Sequence, residues 1–280
     1  MPELPEVETI RRQLDKVLRD KILTNVEVLR DKSFTGNPKE IVDGKIKEIK
    51  RRSKIIQIVF KSKILSVIVH LKMTGQLIYI NGERKILGGH PSPDWVNELP
   101  SKHTRVIWTF QDGSKLYFND MRVFGWMKIV TREKYEKEAK VPDVIDKEFT
   151  EDYFFDVLKN SHMPVKLLLL DQNKIGGLGN IYVNDALYDA GIRPDRKADS
   201  LTTMESRKLH GSVIKIIKLG IKCGGASASN YVQVTGLGGT YQDHFLVYKK
   251  DGQKCKRCGD KIIKKKQGGR GTFYCPGCQK

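Results

Sequence analysis

Four of the five cysteines in this 280-residue chain fall into two C-x2-C pairs, Cys255-Lys-Arg-Cys258 and Cys275-Pro-Gly-Cys278, with 16 residues between them. Each pair suits a tight turn that aims two thiolates at one point. Two such turns make the closed four-sulfur shell that Zn2+ takes in structural sites. With sulfur in all four positions there is no open coordination site, so the ion would hold structure rather than catalyse. A redox C-x-x-C fits less well, because two pairs are present and no thioredoxin-like βαβ unit surrounds them. Cys223 reads as an ordinary thiol. Between the pairs, KIIKK and GTFYC read as two strands of a hairpin, and residues 254–280 carry nine Lys/Arg against one Asp. A solvated charge run accounts equally well for most of those lysines. Arg270, set between glycines at the tip, is the better candidate for a specific contact.

The other chemically suggestive stretch is the opening, MPELPEVE. An α-amino group titrates near 8, against about 10.4 for lysine, so a useful fraction is unprotonated at neutral pH. Amines attack carbonyl-type carbons to form Schiff bases. If Met1 is trimmed, Pro2 offers a secondary amine whose condensation gives an iminium with no N–H proton to lose. That fixed positive charge is an electron sink for eliminations on neighbouring carbons, and Glu3 lies beside it to move protons. Many chains begin Met-Pro, however, and acidic residues ahead of a helix are ordinary caps, so these eight residues alone favour the structural explanation.

The elements that must position these groups divide the chain in two. Val7, Ile10, Leu14, Val17 and Leu18 mark an amphipathic helix with Pro5 in its first turn. Short β-rich runs follow at 55–60, 64–71, 76–80, 105–110, 115–119 and 126–130, the pattern of an antiparallel sandwich or barrel. TREKYEKEAKVPD (131–143) is charged and poor in core residues, so a linker is expected there, at 134–149 between an N-terminal domain (1–133) and a helical one (150–245). Thr150 is placed to cap a helix, Pro164 to open one, and Gly191 to end one. A further helix is predicted over about 202–221. The glycine-rich stretch 223–241 predicts a long mobile loop, and 246–280 the metal-binding hairpin.

The charge balance points to a partner. Lys and Arg number 51 against 33 Asp and Glu, a net charge of +18. Nucleic acid is the first candidate and an acidic membrane surface the second. No apolar stretch approaches the roughly 20 residues of a membrane span. Glu3, Glu6 and Glu8 stand where a signal peptide would be basic, so a cytosolic location is expected and patterned cysteines read as metal ligands.

Taken together, the motifs resemble the formamidopyrimidine-DNA glycosylase family, over essentially the whole length: MPELPEVET (1–9), RRSK (51–54), HLKMTG (70–75), DMRVFG (120–125), LLDQ (169–172), GLGNIYVND (177–185), AGIRPDR (190–196) and GRGTFYCPGCQK (269–280). The resemblance implies an α+β protein of two domains, an N-terminal antiparallel β-sandwich with flanking helices and a C-terminal helix-two-turn-helix domain with a β-hairpin zinc finger. It implies a bifunctional glycosylase and AP lyase that excises oxidised purines such as 8-oxoguanine from duplex DNA and nicks the strand by β,δ-elimination. Such a protein would be bacterial and cytoplasmic, nucleoid-associated while scanning, and a monomer. The resemblance makes Pro2 the nucleophile and Glu3 the proton donor. Lys54 would assist proton transfer during elimination and Arg270 would grip the phosphate at the lesion. Met73, Arg122 and Phe124 resemble the trio that fills the hole left by the everted base, and apolar wedges between base steps suit that task. Lys166, His103 and Asn180 match positions that touch DNA phosphates. Cys255, Cys258, Cys275 and Cys278 would hold one structural Zn2+, and 223–241 would be the loop over the everted base.

The chain departs from the family pattern in two places: Asn160-Ser161-His162 precede LLDQ where a basic cluster is usual, and Asp185 replaces the usual glutamate. The rivals are an endonuclease VIII-type enzyme, whose opening typically reads PEGPE, and a noncatalytic DNA-binding zinc-ribbon protein.

Overall fold

The computed structural model describes residues 2–82, 84–90, 98–138, 141–226 and 239–280. Their contacts separate two compact units, one running to residue 140 and the other formed by Val141–Ala226 with Gly239–Lys280.

The first unit opens with helix α1 (Leu4–Leu18), whose Leu4, Val7, Ile10, Leu14 and Leu18 are all buried. Pro5 occupies the first turn, where a missing N–H costs nothing, and the Glu6 carboxylate accepts the Glu3 amide at 2.7 Å. Two five-stranded sheets follow. One has the order β1 (Leu23–Val28), β8 (Thr104–Phe110), β9 (Lys115–Asp120), β6 (Gly75–Asn81), β7 (Arg84–Gly89). The other runs β2 (Phe34–Thr35), β10 (Trp126–Thr131), β5 (Leu65–His70), β4 (Ile55–Phe60), β3 (Ile46–Arg52). All pairings are antiparallel except β2 with β10. Alternate residues of both sheets meet in one core, in which Ile56, Ile58, Val67 and Val69 join Leu77, Trp108, Phe118 and the apolar face of α1. The Phe60 and Trp108 rings stack at 6.4 Å. The six strands expected from alternation are present. Of those the pattern did not announce, β3 (IKEIKRR) carries only two apolar residues, Ile46 and Ile49, and these are the two it buries.

Helix α2 (Arg132–Glu138) buries nothing and is held by exposed i,i+4 pairs such as Glu133–Lys137. It overlaps the segment 134–149 expected as a linker.

In the second unit α3 (Glu151–Lys159) is capped by Thr150, whose Oγ1 accepts the Tyr153 amide at 3.1 Å. Asn160, Ser161 and His162 form the turn into α4 (Val165–Leu169), with His162 against Asp199. Helix α5 (Asn180–Ala190) ends at Gly191, φ +78°, a left-handed cap that glycine adopts without strain. α6 (Thr203–Lys222) begins with a Thr202–Glu205 capping box. The hairpin β11 (Ile263–Gln267) and β12 (Arg270–Tyr274) packs Phe273 and Ile262 with Tyr188 of α5 and Val247. Much of the predicted glycine-rich loop, residues 227–238, lies outside the described residues. Its flanks are joined, with Ala226 bridged to Thr240 and the Thr240 amide donating to the Cys223 carbonyl at 2.8 Å. Among the described residues, no helix is long and apolar enough to cross a membrane.

Asp185 shows what the family departure does. Its carboxylate is fully buried and accepts the amides of Val247 (2.9 Å) and Tyr248 (3.1 Å) and the Tyr241 hydroxyl (3.0 Å). Burial pushes its pKa up, and those hydrogen bonds oppose the rise. Asp185→Ala would strand three donors, so a loss of about 3 kcal/mol is expected in urea unfolding of the protein. A loss under about 1 kcal/mol would mean that the chain after Tyr241 is held by other contacts.

Candidate active site and nucleic-acid interface

Pro2 and Glu3 are buried at the head of α1, Glu3 being only 4% exposed. Glu8, one and a half turns further along, accepts Arg11 at 2.6 Å, Arg12 at 2.7 Å and Arg51 at 3.0 Å. Arg51 is itself buried and donates to the Ser53 carbonyl at 2.9 Å. Ser53 takes φ +51° in the two-residue turn between β3 and β4, and Lys54 follows it, 6% exposed. One carboxylate therefore ties the helix headed by Pro2 and Glu3 to the turn that carries Lys54. A second tie runs from the Ile49 amide to Asp15 Oδ1 at 2.7 Å. His70, whose strand pairs Ile55 beside Lys54, is neutral: burial and then the charges of Lys72 and Lys54 bring its pKa down to about 4.

The predicted trio lies on two loops. Met73 sits between β5 and β6, Arg122 and Phe124 between β9 and β10. Met73 is 40% and Phe124 49% exposed, unusual for such side chains in a well-packed sandwich. Asp120, the last residue of β9, is the hub that holds both loops. Fully buried, it accepts the amides of Arg122 (3.1 Å), Phe124 (2.8 Å) and Gly125 (2.6 Å) on its own loop and the Thr74 hydroxyl on the other. The Arg122 guanidinium lies over the Phe124 ring, 4.6 Å from its centre. His103 stands next to the hub, its carbonyl accepting the Asp120 amide at 2.9 Å.

The remaining predicted residues belong to the second unit. The four cysteine sulfurs lie within 4.8 Å of one another, Cys255–Cys278 at 3.6 Å and Cys258–Cys275 at 3.4 Å. These separations are too long for disulfides. They match the roughly 3.8 Å between thiolates around a tetrahedral zinc with ~2.3 Å bonds, so the shell fits one structural Zn2+. The Tyr188 hydroxyl meets Cys255 Sγ at 3.1 Å, anchoring the shell to α5. Gly268 and Gly269 turn the hairpin at φ +54° and +74° and leave Arg270 exposed. Lys166 packs behind this hairpin. It is fully buried, and its ammonium donates to the Gly271 carbonyl at 2.9 Å and Thr272 Oγ1 at 2.7 Å. Asn180 donates to the same carbonyl at 3.1 Å. Both residues brace the strand that presents Arg270.

Three family descriptions match the chain in order: the formamidopyrimidine-DNA glycosylase N-terminal domain over residues 1–127, its H2TH domain over 141–232, and a zinc finger found in FPG and IleRS over 252–280. The chain belongs to the formamidopyrimidine-DNA glycosylase family. It is 38% identical to the formamidopyrimidine-DNA glycosylase of Pelotomaculum thermopropionicum, covering 100% of this chain and 99% of that one. The identity to the Bacillus licheniformis protein of that name is 36%, with full coverage of both. A solved complex between Lactococcus lactis Fpg and DNA containing an abasic site superposes with a TM-score of 0.86 at 32% identity. A complex of the same wild-type protein with DNA containing an oxidised pyrimidine gives 0.85 at 33%, both covering each chain fully.

Within the family's motifs, the sequence assigned no role to Glu8 or Asp120. Asp120 had a legible signal: an acid closing an apolar strand and followed by turn residues is a candidate acceptor for their amides. Glu8 reads only as one more first-turn acid until Arg51 is brought against it.

Two outcomes follow for variants at these residues. Burial alone would raise the Glu8 carboxyl, but hydrogen bonds from Arg11, Arg12 and Arg51 hold it at about 2, against an ordinary 4.5. Its contribution, on the order of 3 kcal/mol, is complete above about pH 4.5 and disappears as the pH falls toward 2. Glu8→Gln should lower stability at pH 7 by about that amount while losing correspondingly less between pH 5 and pH 2.5, measured by urea unfolding at each pH. For Asp120→Asn, lesion-duplex affinity should fall about tenfold with a smaller change in affinity for undamaged duplex. Equal losses on both duplexes would show that the hub does not serve the trio.

Proposed function

We propose that this chain is a bifunctional DNA glycosylase and AP lyase that excises oxidised purines, 8-oxoguanine and formamidopyrimidines, from duplex DNA. The observation that carries this reading is the Asp120-held trio: a +18 protein presents exposed Met73 and Phe124 beside a guanidinium on two braced loops. Apolar wedges with an adjacent cation suit insertion into a duplex from which a base has turned out. The relatives' names and the lesion-containing DNA in the Lactococcus lactis complexes support the same reading.

In the proposed reaction the surplus of Lys and Arg binds the DNA backbone without regard to sequence, with an affinity that falls as salt rises. The lesion turns out, most readily where its pairing is already weakened. Pro2, freed by removal of Met1, attacks C1′ of the deoxyribose through its nitrogen. The N-glycosidic bond breaks and the base leaves with a proton, Glu3 acting as donor. The proline nitrogen loses its proton, the C1′–O4′ bond opens with O4′ taking a proton, and the resulting iminium withdraws electrons, so loss of the C2′ proton expels the 3′ phosphate and loss of the C4′ proton expels the 5′ phosphate. Lys54 serves these proton transfers. Arg270 holds the phosphate at the lesion, and Zn2+ in its four-sulfur shell keeps the hairpin folded.

Borohydride reduction of the reacting complex tests this directly. Wild-type protein should form a covalent adduct with 8-oxoguanine duplex, and Pro2→Gly should form less than a hundredth of it. Equal trapping in both would remove Pro2 from the reaction. Running the same assay on oxidised pyrimidines separates an endonuclease VIII-type preference from the one proposed.

A further inference from the structure

Tyr188 and Asp189 lie in the last turn of α5, and the first cysteine turn of the finger is docked on that end. Tyr188 is buried in the cluster that also holds Cys255, Cys275, Val247 and Phe273. A hydroxyl enclosed among apolar groups is costly unless it finds an acceptor. Its partner is Cys255 Sγ, at 3.1 Å. With the metal bound that sulfur carries no proton, so the hydroxyl donates. The Arg257 amide also points at the sulfur, at 3.4 Å.

Arg257, between Cys255 and Cys258, engages the same tyrosine. Its guanidinium lies over the Tyr188 ring, 4.3 Å from the centre, and donates to the Tyr188 carbonyl at 2.7 Å and the Asp189 carbonyl at 3.4 Å. These carbonyls belong to the last helical turn, where a cation also meets the negative end of the helix dipole. The guanidinium is steadied from α6. Asp189 Oδ1 stands 3.5 Å from it and accepts Lys215 at 2.8 Å, while Asp189 Oδ2 accepts the Ser212 hydroxyl at 2.8 Å. A positive charge over the face of a phenol draws electron density from the ring and makes its hydroxyl a stronger donor. A shell of four thiolates around one dication is net negative, so a strong donor aimed at one sulfur stabilises it.

We propose that Tyr188, polarised by Arg257, is a positioning residue for the metal: its hydroxyl donates to the Cys255 thiolate and raises the affinity of the four-cysteine site for Zn2+. The inference concerns the metal site alone and stands apart from the reaction proposed above. It gives a role to the run of contacts from Ser212 through Asp189, Arg257 and Tyr188 to Cys255, which joins α6 to the metal shell.

The test uses the full-length protein loaded with Zn2+ and a competing chelator of known zinc affinity. Tyr188→Phe keeps the ring and removes the hydroxyl, and its zinc affinity should fall about tenfold, the lower end of what losing such a bond costs. Arg257→Ala should weaken zinc binding too, and Arg257→Lys should restore only part of the loss, because an ammonium lacks the planar fork that reaches two carbonyls. Reloading with Co2+ supplies a readout that packing alone would not move. A thiolate that loses a hydrogen bond donates electrons more strongly, so the sulfur-to-cobalt charge-transfer band should shift to lower energy in Tyr188→Phe. Thermal unfolding of each zinc-loaded variant checks that it is folded. Weaker binding with an unshifted band would make Tyr188 a packing residue and overturn the proposal. Unchanged zinc affinity in Tyr188→Phe overturns it outright. Should Tyr188→Phe not fold, Arg257→Ala decides, and wild-type zinc affinity in that variant overturns the proposal.

Discussion

The Glu8–Arg51 ion pair is the constraint on which the rest of the first unit depends. Helix α1 and the β3–β4 turn are separate elements, 43 residues apart at this contact, and each carries one part of the proposed chemistry. Arg51 is fixed at both ends, by Glu8 on the helix and by the Ser53 carbonyl on the turn. Burying an ion pair is costly, and removing one partner leaves the other charge stranded, typically at about 3–5 kcal/mol. Helix α1 and the turn that carries Lys54 are therefore joined by an interaction that cannot relax in small steps.

The same device recurs. Glu8, Asp120 and Asp185 are all buried carboxylates, and each gathers donors from segments far apart in the chain. Glu8 takes guanidinium groups, Asp120 takes loop amides and a threonine hydroxyl, and Asp185 takes amides and a tyrosine hydroxyl. A chain with 33 acids against 51 bases has few carboxylates to place, and these three are turned inward where low dielectric makes each bond count. Acids used as internal anchors leave the basic surplus outside, facing any polyanion. Shortening the usual glutamate to Asp185 fits this scheme, because the carboxylate still reaches the Val247 and Tyr248 amides.

How much of this was legible in the sequence depends on what kind of signal each part carries. Helix α1, the six alternating strands, the caps at Thr150 and Gly191 and the cysteine shell are local patterns, each expressed within a few residues, and each is found where it was expected. Strand β3 hid because only Ile46 and Ile49 face the core, and its charged residues serve α1 and α2 instead. Helix α2 hid because a short stretch of paired charges reads equally as a linker. The hubs were invisible for a different reason: a carboxylate's partners are set by the fold, and nothing near Asp120 in sequence names Thr74, 46 residues away.

Lys166, which the family resemblance sets at a phosphate-touching position, is engaged within the second unit. The residue is buried, and its ammonium donates to the Gly271 carbonyl and the Thr272 hydroxyl, with Asn180 on the same carbonyl. Those bonds fix β12 one residue beyond Arg270, the exposed cation at the hairpin turn. Leu167 sits under the turn itself, since a Cβ on Gly268 would come within 2.5 Å of its side chain. Helix α4 thus supports the hairpin from below with one buried cation and one apolar contact. A guanidinium on a two-glycine turn would otherwise lose much of its advantage to conformational freedom, because a contact that must first be ordered is weakened by the entropy of ordering it. In this arrangement the buried lysine helps to fix the strand from which the exposed arginine projects.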